Sequence, residues 1–201
     1  MSLESEDDIE VSAQYKLEIL LSPKTTLWLP VVIAPLGELA LPAWCPKHKL
    51  FVPYKLVSTM RAGVLTMGPL LGRYQKKKIY VAKGGGCSLG IRDINYHLSG
   101  FESLTAEHRL EKGYVRIYSK NGLVGGSYKF PKVSVTGTSN LIMASVLSKG
   151  MHIIRNISIE PEVIDLITFL NNSGSKIKFI GKRSIKILGV TELTNGEHTI
   201  I

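Results

Sequence analysis

Glu162-Val163-Ile164-Asp165-Leu166-Ile167-Thr168-Phe169-Leu170-Asn171 puts Val163, Leu166, Ile167 and Leu170 on one stripe at helical spacing. Two short apolar runs follow, Ile177 to Ile180 and Ile185 to Leu188, and read as strands. The same order occurs earlier in the chain. Ile94, Leu98, Phe101 and Leu104 form a stripe over Ile94 to Leu104, and Tyr114-Val115-Arg116-Ile117-Tyr118 alternates as a strand should. In this alignment Ile94 matches Val163, Phe101 matches Leu170, and Val115 matches Ile185.

The match extends upstream. Met60, Val64, Met67 and Leu71 predict a helix over residues 57–73, kinked at Pro69, before a strand at Ile79-Tyr80-Val81. Leu141, Ile142, Ser145 and Val146 predict a helix from Thr138 to Ser148, before a strand at Ile153-Ile154. Each unit reads helix, strand, loop, helix, strand, strand, and neither closes a core alone. The expected fold class is therefore an α/β repeat of βαβαββ-like units, with helices buried against mixed sheets. Residues 1–50 have weak periodicity, and six of the nine prolines lie between residues 23 and 53. The expected organisation is a divergent N-terminal segment, 1–50, then a domain over 51–201 with two repeats, about 51–130 and 131–201.

The chain has 201 residues and 25 Lys and Arg against 16 Asp and Glu, a net charge of +9. Five of the acids fall in the first ten residues, so the remainder carries 25 bases against 11 acids, or +14. Such a field attracts anions. The bases are scattered except at Lys76-Lys77-Lys78, which reads as solvated surface, and no RNA-binding or zinc-finger pattern accompanies them. A small phosphorylated ligand fits better than nucleic acid. The apolar run from Thr25 to Gly37 is too short to span a membrane and carries Pro30 and Pro35. The acidic start is wrong for a secretory signal, and two cysteines are too few for a disulfide scaffold. The expected compartment is the cytoplasm. No dinucleotide fingerprint follows a strand, and the histidines lack metal-ligand spacing, so neither cofactor nor metal is expected.

Several residues are candidates for chemistry. Cys87 lies in the glycine-rich loop Gly84-Gly85-Gly86-Cys87-Ser88-Leu89-Gly90, with Lys83 before it and Arg92 after it. Nearby cations favour the reactive thiolate, and a small apolar residue in a turn is the competing reading. Cys45, between Trp44 and Pro46, reads as packing. Arg61 opens a helix, where a phosphate meets a guanidinium and a helix N-terminus. Lys132-Val133-Ser134-Val135-Thr136-Gly137-Thr138 enters the equivalent helix and suits either an oxyanion or simple capping, capping being favoured. His97 reads as a structural residue before an acid or base. Glu160 and Glu162 flank Pro161 as helix-start chemistry.

Together these segments resemble the enolpyruvyl transferase family. The carrying stretches are Tyr54 to Ala62, Gly68-Pro69-Leu70-Leu71, Gly85 to Arg92, Lys132 to Asn140, Glu160 to Asp165 and Gly196-Glu197-His198. The resemblance runs from about Pro53 to the end and implies the family's inverse α/β repeat fold. The cysteine loop further implies transfer of an enolpyruvyl group from phosphoenolpyruvate to the 3-hydroxyl of UDP-N-acetylglucosamine, in peptidoglycan precursor synthesis. By the same resemblance Cys87 protonates the enolpyruvyl carbon and is the cysteine that fosfomycin alkylates. The resemblance also implies that Arg92 binds the phosphoenolpyruvate phosphate and that Arg61 binds substrate. Arg92, Asp93, Ile94, Asn95 and Tyr96, with Lys132, Val133, Ser134 and Val135, match the nucleotide-sugar contacts.

The sequence also departs from the family pattern. No early Ser-Gly-Ala-Lys-Asn-Ala segment is present, and residues 1–50 do not match the first repeat. Gly84 stands for a usual Pro, Asp93 and Asn95 for Pro and Asp, and Ile159 for Arg, and two extra residues fall between Arg61 and Cys87. The chain stops at Ile201, before the family's second domain. The expectation is binding without turnover by this chain alone, with a complementing chain supplying the missing half, or a non-catalytic nucleotide-sugar-binding module.

Overall fold

The structure is a computed structural model that describes residues 49–52, 61–82, 94–111, 113–194 and 198. The first unit contains β1 (Lys49–Val52), a 3₁₀ segment (Arg61–Thr66) running into α1 (Met67–Arg73), β2 (Lys78–Ala82), α2 (Asn95–Glu102), β3 (Glu107–Glu111) and β4 (Tyr114–Tyr118). The second contains β5 (Ser127–Lys129), α3 (Val135–Ser145), β6 (Met151–Arg155), α4 (Pro161–Asn172), β7 (Lys176–Gly181) and β8 (Ser184–Leu188). The two four-stranded sheets share one topology, with strand orders β1-β2-β4-β3 and β5-β6-β8-β7. In each, the first pair is parallel and the other two are antiparallel. Val81 stands opposite Val115 in one sheet and Ile154 opposite Ile185 in the other. The aligned residues Phe101 and Leu170 are both buried. The mixed α/β repeat read from the sequence is the fold observed.

Element boundaries differ from the sequence reading in instructive ways. α3 starts at Val135 rather than Thr138, because Ser134 adopts the extended conformation of an N-cap and its Oγ accepts from the Gly137 N–H at 3.1 Å. Ile94 is the N-cap of α2 rather than its first residue, and α2 ends at Glu102. The helix expected over 57–73 is described from Arg61. It changes from 3₁₀ to α at Met67, two residues before Pro69, which occupies the first turn where its missing N–H costs nothing. The sequence reading passed over β3, a polar edge strand (Glu-His-Arg-Leu-Glu), and β1 and β5, of four and three residues.

α3 is the central helix. Every residue from Gly137 to Ser145 is buried, and it packs on α1, α2 and α4. Each of its large apolar side chains, Leu141, Ile142 and Met143, contributes about 1.5–3 kcal/mol by leaving water. The approach of α1 is close enough to require glycine. A Cβ on Gly68 would lie 2.2 Å from the Asn140 carbonyl oxygen, and one on Gly72 would lie 2.9 Å from that of Met143. No described helix is long and apolar enough to cross a membrane.

Candidate functional site

The N-terminal ends of α2 and α3 meet, held by one buried polar network. The Gly68 N–H donates to Asn140 Oδ1 at 2.6 Å. That bond fixes the amide, so Asn140 Nδ2 donates to the Val64 carbonyl at 2.9 Å and to His97 Nδ1 at 2.9 Å. His97 therefore accepts at Nδ1, and its Nε2–H faces Thr136 Oγ1 at 3.4 Å. Burial pushes the His97 pKa down to about 4, so the ring is neutral near pH 7. The ring joins α2 to α3 through Thr136 and Asn140, in keeping with the structural reading favoured from the sequence. The Tyr128 hydroxyl adds a second tie, donating to the Tyr96 carbonyl at 3.3 Å.

These ties bring two of the sequence-predicted segments side by side. Ile94 and Tyr96 are half-buried against the core, and Asn95 is exposed at the first position of α2. Across from them, Ser134 caps α3, Val135 is half-buried, and Lys132 and Val133 are exposed. Thr138 Oγ1 donates to the Ser134 carbonyl at 2.6 Å and accepts from the Ser158 N–H at 3.0 Å, so its hydroxyl serves the fold. The N–H groups of Val135 and Thr136 precede any intrahelical acceptor and carry the positive end of the helix dipole. With the Lys132 ammonium just ahead of the cap, the arrangement suits an oxyanion. Arg61 heads the 3₁₀ segment whose Val64 carbonyl is held by Asn140, so its backbone belongs to the same cluster. Cys87, Arg92 and Asp93 lie outside the described residues, as does the side chain of Arg61. The sequence reading missed Asn140 and Tyr128 as organisers; a lone amide inside an apolar helix was the available signal.

Two other motif segments meet away from this cluster. His198 Nε2 lies 2.7 Å from Asp165 Oδ1, with the side chains 6% and 17% exposed, and the ring stacks edge-on to Phe169 at 5.6 Å between centroids. This contact fastens residue 198 to α4. Asp165→Ala is expected to cost about 1.5–3 kcal/mol, the usual worth of a hydrogen bond to a charged group, and urea denaturation of the two proteins measures it.

Residues 45–201 match the family model for EPSP synthase (3-phosphoshikimate 1-carboxyvinyltransferase). The chain belongs to this family of enolpyruvyl transferases. Among individual proteins, it is 42% identical over 153 residues to the UDP-N-acetylglucosamine 1-carboxyvinyltransferase of Pelagibacter ubique, covering 76% of this chain and 36% of that protein. It is 45% identical over 149 residues to the protein of the same name from Hydrogenovibrio crunogenus, covering 74% and 35%. The chain thus spans about a third of the length of the curated relatives it matches. Two solved structures share the fold: the enolpyruvyl transferase NikO from Streptomyces tendae (TM-score 0.57, 14% identity, 70% of this chain and 32% of that one) and EPSP synthase from Acinetobacter baumannii (TM-score 0.56, 20% identity, 74% and 32%).

Proposed function

We propose that this chain is the cysteine-loop, nucleotide-sugar-binding part of a UDP-N-acetylglucosamine 1-carboxyvinyltransferase. The reaction moves the enolpyruvyl group of phosphoenolpyruvate to the sugar 3-hydroxyl of UDP-N-acetylglucosamine and releases phosphate, in the cytoplasm, without metal or cofactor. The observation that carries the reading is the 42–45% identity to proteins of that name over about three-quarters of the chain. The contact of His97 with Thr136, which brings the start of α2 to the start of α3, supports it, because helix N-terminal N–H groups and Lys132 suit a diphosphate.

In this reading Cys87 gives its proton to the enolpyruvyl carbon, Arg92 holds the phosphate of phosphoenolpyruvate, and Arg61 holds substrate. Asp93, Ile94, Asn95, Tyr96, Lys132, Val133, Ser134 and Val135 line the nucleotide-sugar site. The domain comprises two repeats meeting near residue 130, preceded by the divergent segment 1–50. Neither nucleic acid nor membrane is a partner in the reaction; a complementing chain supplies the remaining groups. Fosfomycin reacts at Cys87.

The test is a pair of assays on the purified chain. Incubation with fosfomycin is expected to give one slow adduct at Cys87 by mass spectrometry, abolished in Cys87→Ser. Phosphate release from both substrates is expected to stay at background, because losing oriented groups from a constellation that acts as a unit costs several orders of magnitude. No adduct at Cys87, or one that survives Cys87→Ser, would refute the assignment of the loop. Turnover by the chain alone would refute the need for a complementing chain.

A further inference from the structure

Each sheet turns one face to the helices and the other outward. The first sheet also sets cations opposite one another, Lys49 by Lys78 and Arg109 by Arg116, but its outer face carries carboxylates: Arg116 meets Glu111 at 2.8 Å, and the Tyr118 hydroxyl donates to Glu107 at 2.7 Å. The second sheet has the same topology and a different outer face. Its register puts Lys178 of β7 directly opposite Lys186 of β8, Lys129 of β5 beside Arg155 of β6, and Lys176 opposite Leu188. All five cations are exposed, and no carboxylate among the described residues pairs with any of them. The other side chains of that face are apolar or hydroxylic: Met151, Ile153 and Leu188, with Ser127 and Ser184. Like charges directly opposite across strands destabilise a sheet, so this arrangement works against the fold until an anion covers it.

The same chain carries the complementary charge. Glu4, Glu6, Asp7, Asp8 and Glu10 precede its first base, Lys16. The stretch from residue 11 to β1 at Lys49 has a contour of roughly 120 Å, at about 3.3 Å per residue, longer than a domain of this size is wide.

We propose that the outward face of the second sheet docks an acidic polypeptide segment, and that its occupant is this chain's own segment from Glu4 to Glu10. Five carboxylates meet five cations, and the apolar Met151, Ile153 and Leu188 between them lower the local dielectric in which they pair. Covering the face also removes an uncompensated positive field, one that otherwise attracts any polyanion.

Zero-length carbodiimide coupling on the full chain, read by peptide mass spectrometry, tests this. In low salt, amide links from Glu4 to Glu10 are expected to favour Lys129, Lys176, Lys178 and Lys186 over Lys76, Lys77, Lys78 and Lys120 by at least about threefold. One molar salt is expected to erase the preference, since the screening length falls from about 10 Å at 0.1 M to about 3 Å. The double variant Lys178→Glu, Lys186→Glu changes only exposed side chains, so its melting temperature should hold while links to Lys129 and Lys176 fall. Links spread evenly over all lysines, links only between two molecules, or links to Lys129 and Lys176 undiminished in the double variant would each overturn the proposal.

Discussion

Lowering the pH from 7 to 4 is expected to cost the fold about 3 kcal/mol at each of two buried histidines, His97 and His152. Burial holds both near pKa 4, against an ordinary 6.5. The unfolded chain therefore binds a proton at each site as the pH falls below 6.5, while the folded chain does not until about pH 4. Protons thus favour the unfolded state across that window. The contribution to stability is complete above pH 6.5 and is lost as the pH falls toward 4, at about 1.4 kcal/mol per unit of pKa difference. Urea unfolding at pH 7, 6, 5 and 4 measures the slope. His152 provides the sharper control. It is fully buried on β6 opposite Ile187, where Ile79 occupies the matching place opposite Ile117 in the first sheet. Its Nε2 contacts Ser148 Oγ, and its Nδ1 has no partner. His152→Ile is expected to hold or raise stability at pH 7 and to remove about half of the acid loss. An unchanged acid slope in that variant would show that His152 is not held neutral in the folded protein.

Gly68→Ala is expected to lower stability by about 3 kcal/mol, or roughly 6–12 °C in melting temperature for a chain of this size. The added carbon would lie 2.2 Å from the Asn140 carbonyl oxygen and 2.3 Å from Oδ1. The first of these is backbone in the middle of the fully buried α3, so α1 has to retreat. Retreat breaks the Gly68 N–H to Asn140 bond and releases the amide that positions His97. The effect on the site follows: the N-terminal ends of α2 and α3 lose their registration, and ligand binding weakens with stability. Scanning calorimetry checks the first part. Gly113→Ala serves as a comparison, because that glycine has no atom within 4 Å of the added carbon and its cost is limited to the strain of a φ of 81°.

Much of this was legible in the sequence, for physical reasons specific to each element. α4 and the strands after it combine a clean helical stripe with short β-branched runs, and both were placed within two residues. β3 escaped because an edge strand with one face in water carries little apolar signal: Glu107, His108, Arg109, Leu110 and Glu111 read as loop. The start of α3 falls three residues before the expected Thr138 because the apolar stripe that marks the helix begins only at Leu141, while the cap favoured for this stretch is Ser134. His152 was not singled out, since a histidine between apolar residues looks polar until the pairing register puts it on the inner face. At the site, the sequence brought forward the starts of both helices, 94–96 and 132–135, but not the Asn140 amide that joins α3 to His97 of α2. That join depends on contacts 43 and 76 residues apart in the chain, which no local pattern reveals.

The central claim is that the ends of α2 and α3 form one nucleotide-sugar site. Backbone amide shift mapping of the chain, titrated with UDP-N-acetylglucosamine to millimolar concentration, tests it most directly. The account predicts saturable shifts concentrated at residues 94–96 and 132–136, weakened in Lys132→Ala. Absence of shifts at millimolar ligand, or shifts that cluster elsewhere in the fold and ignore Lys132→Ala, would contradict it.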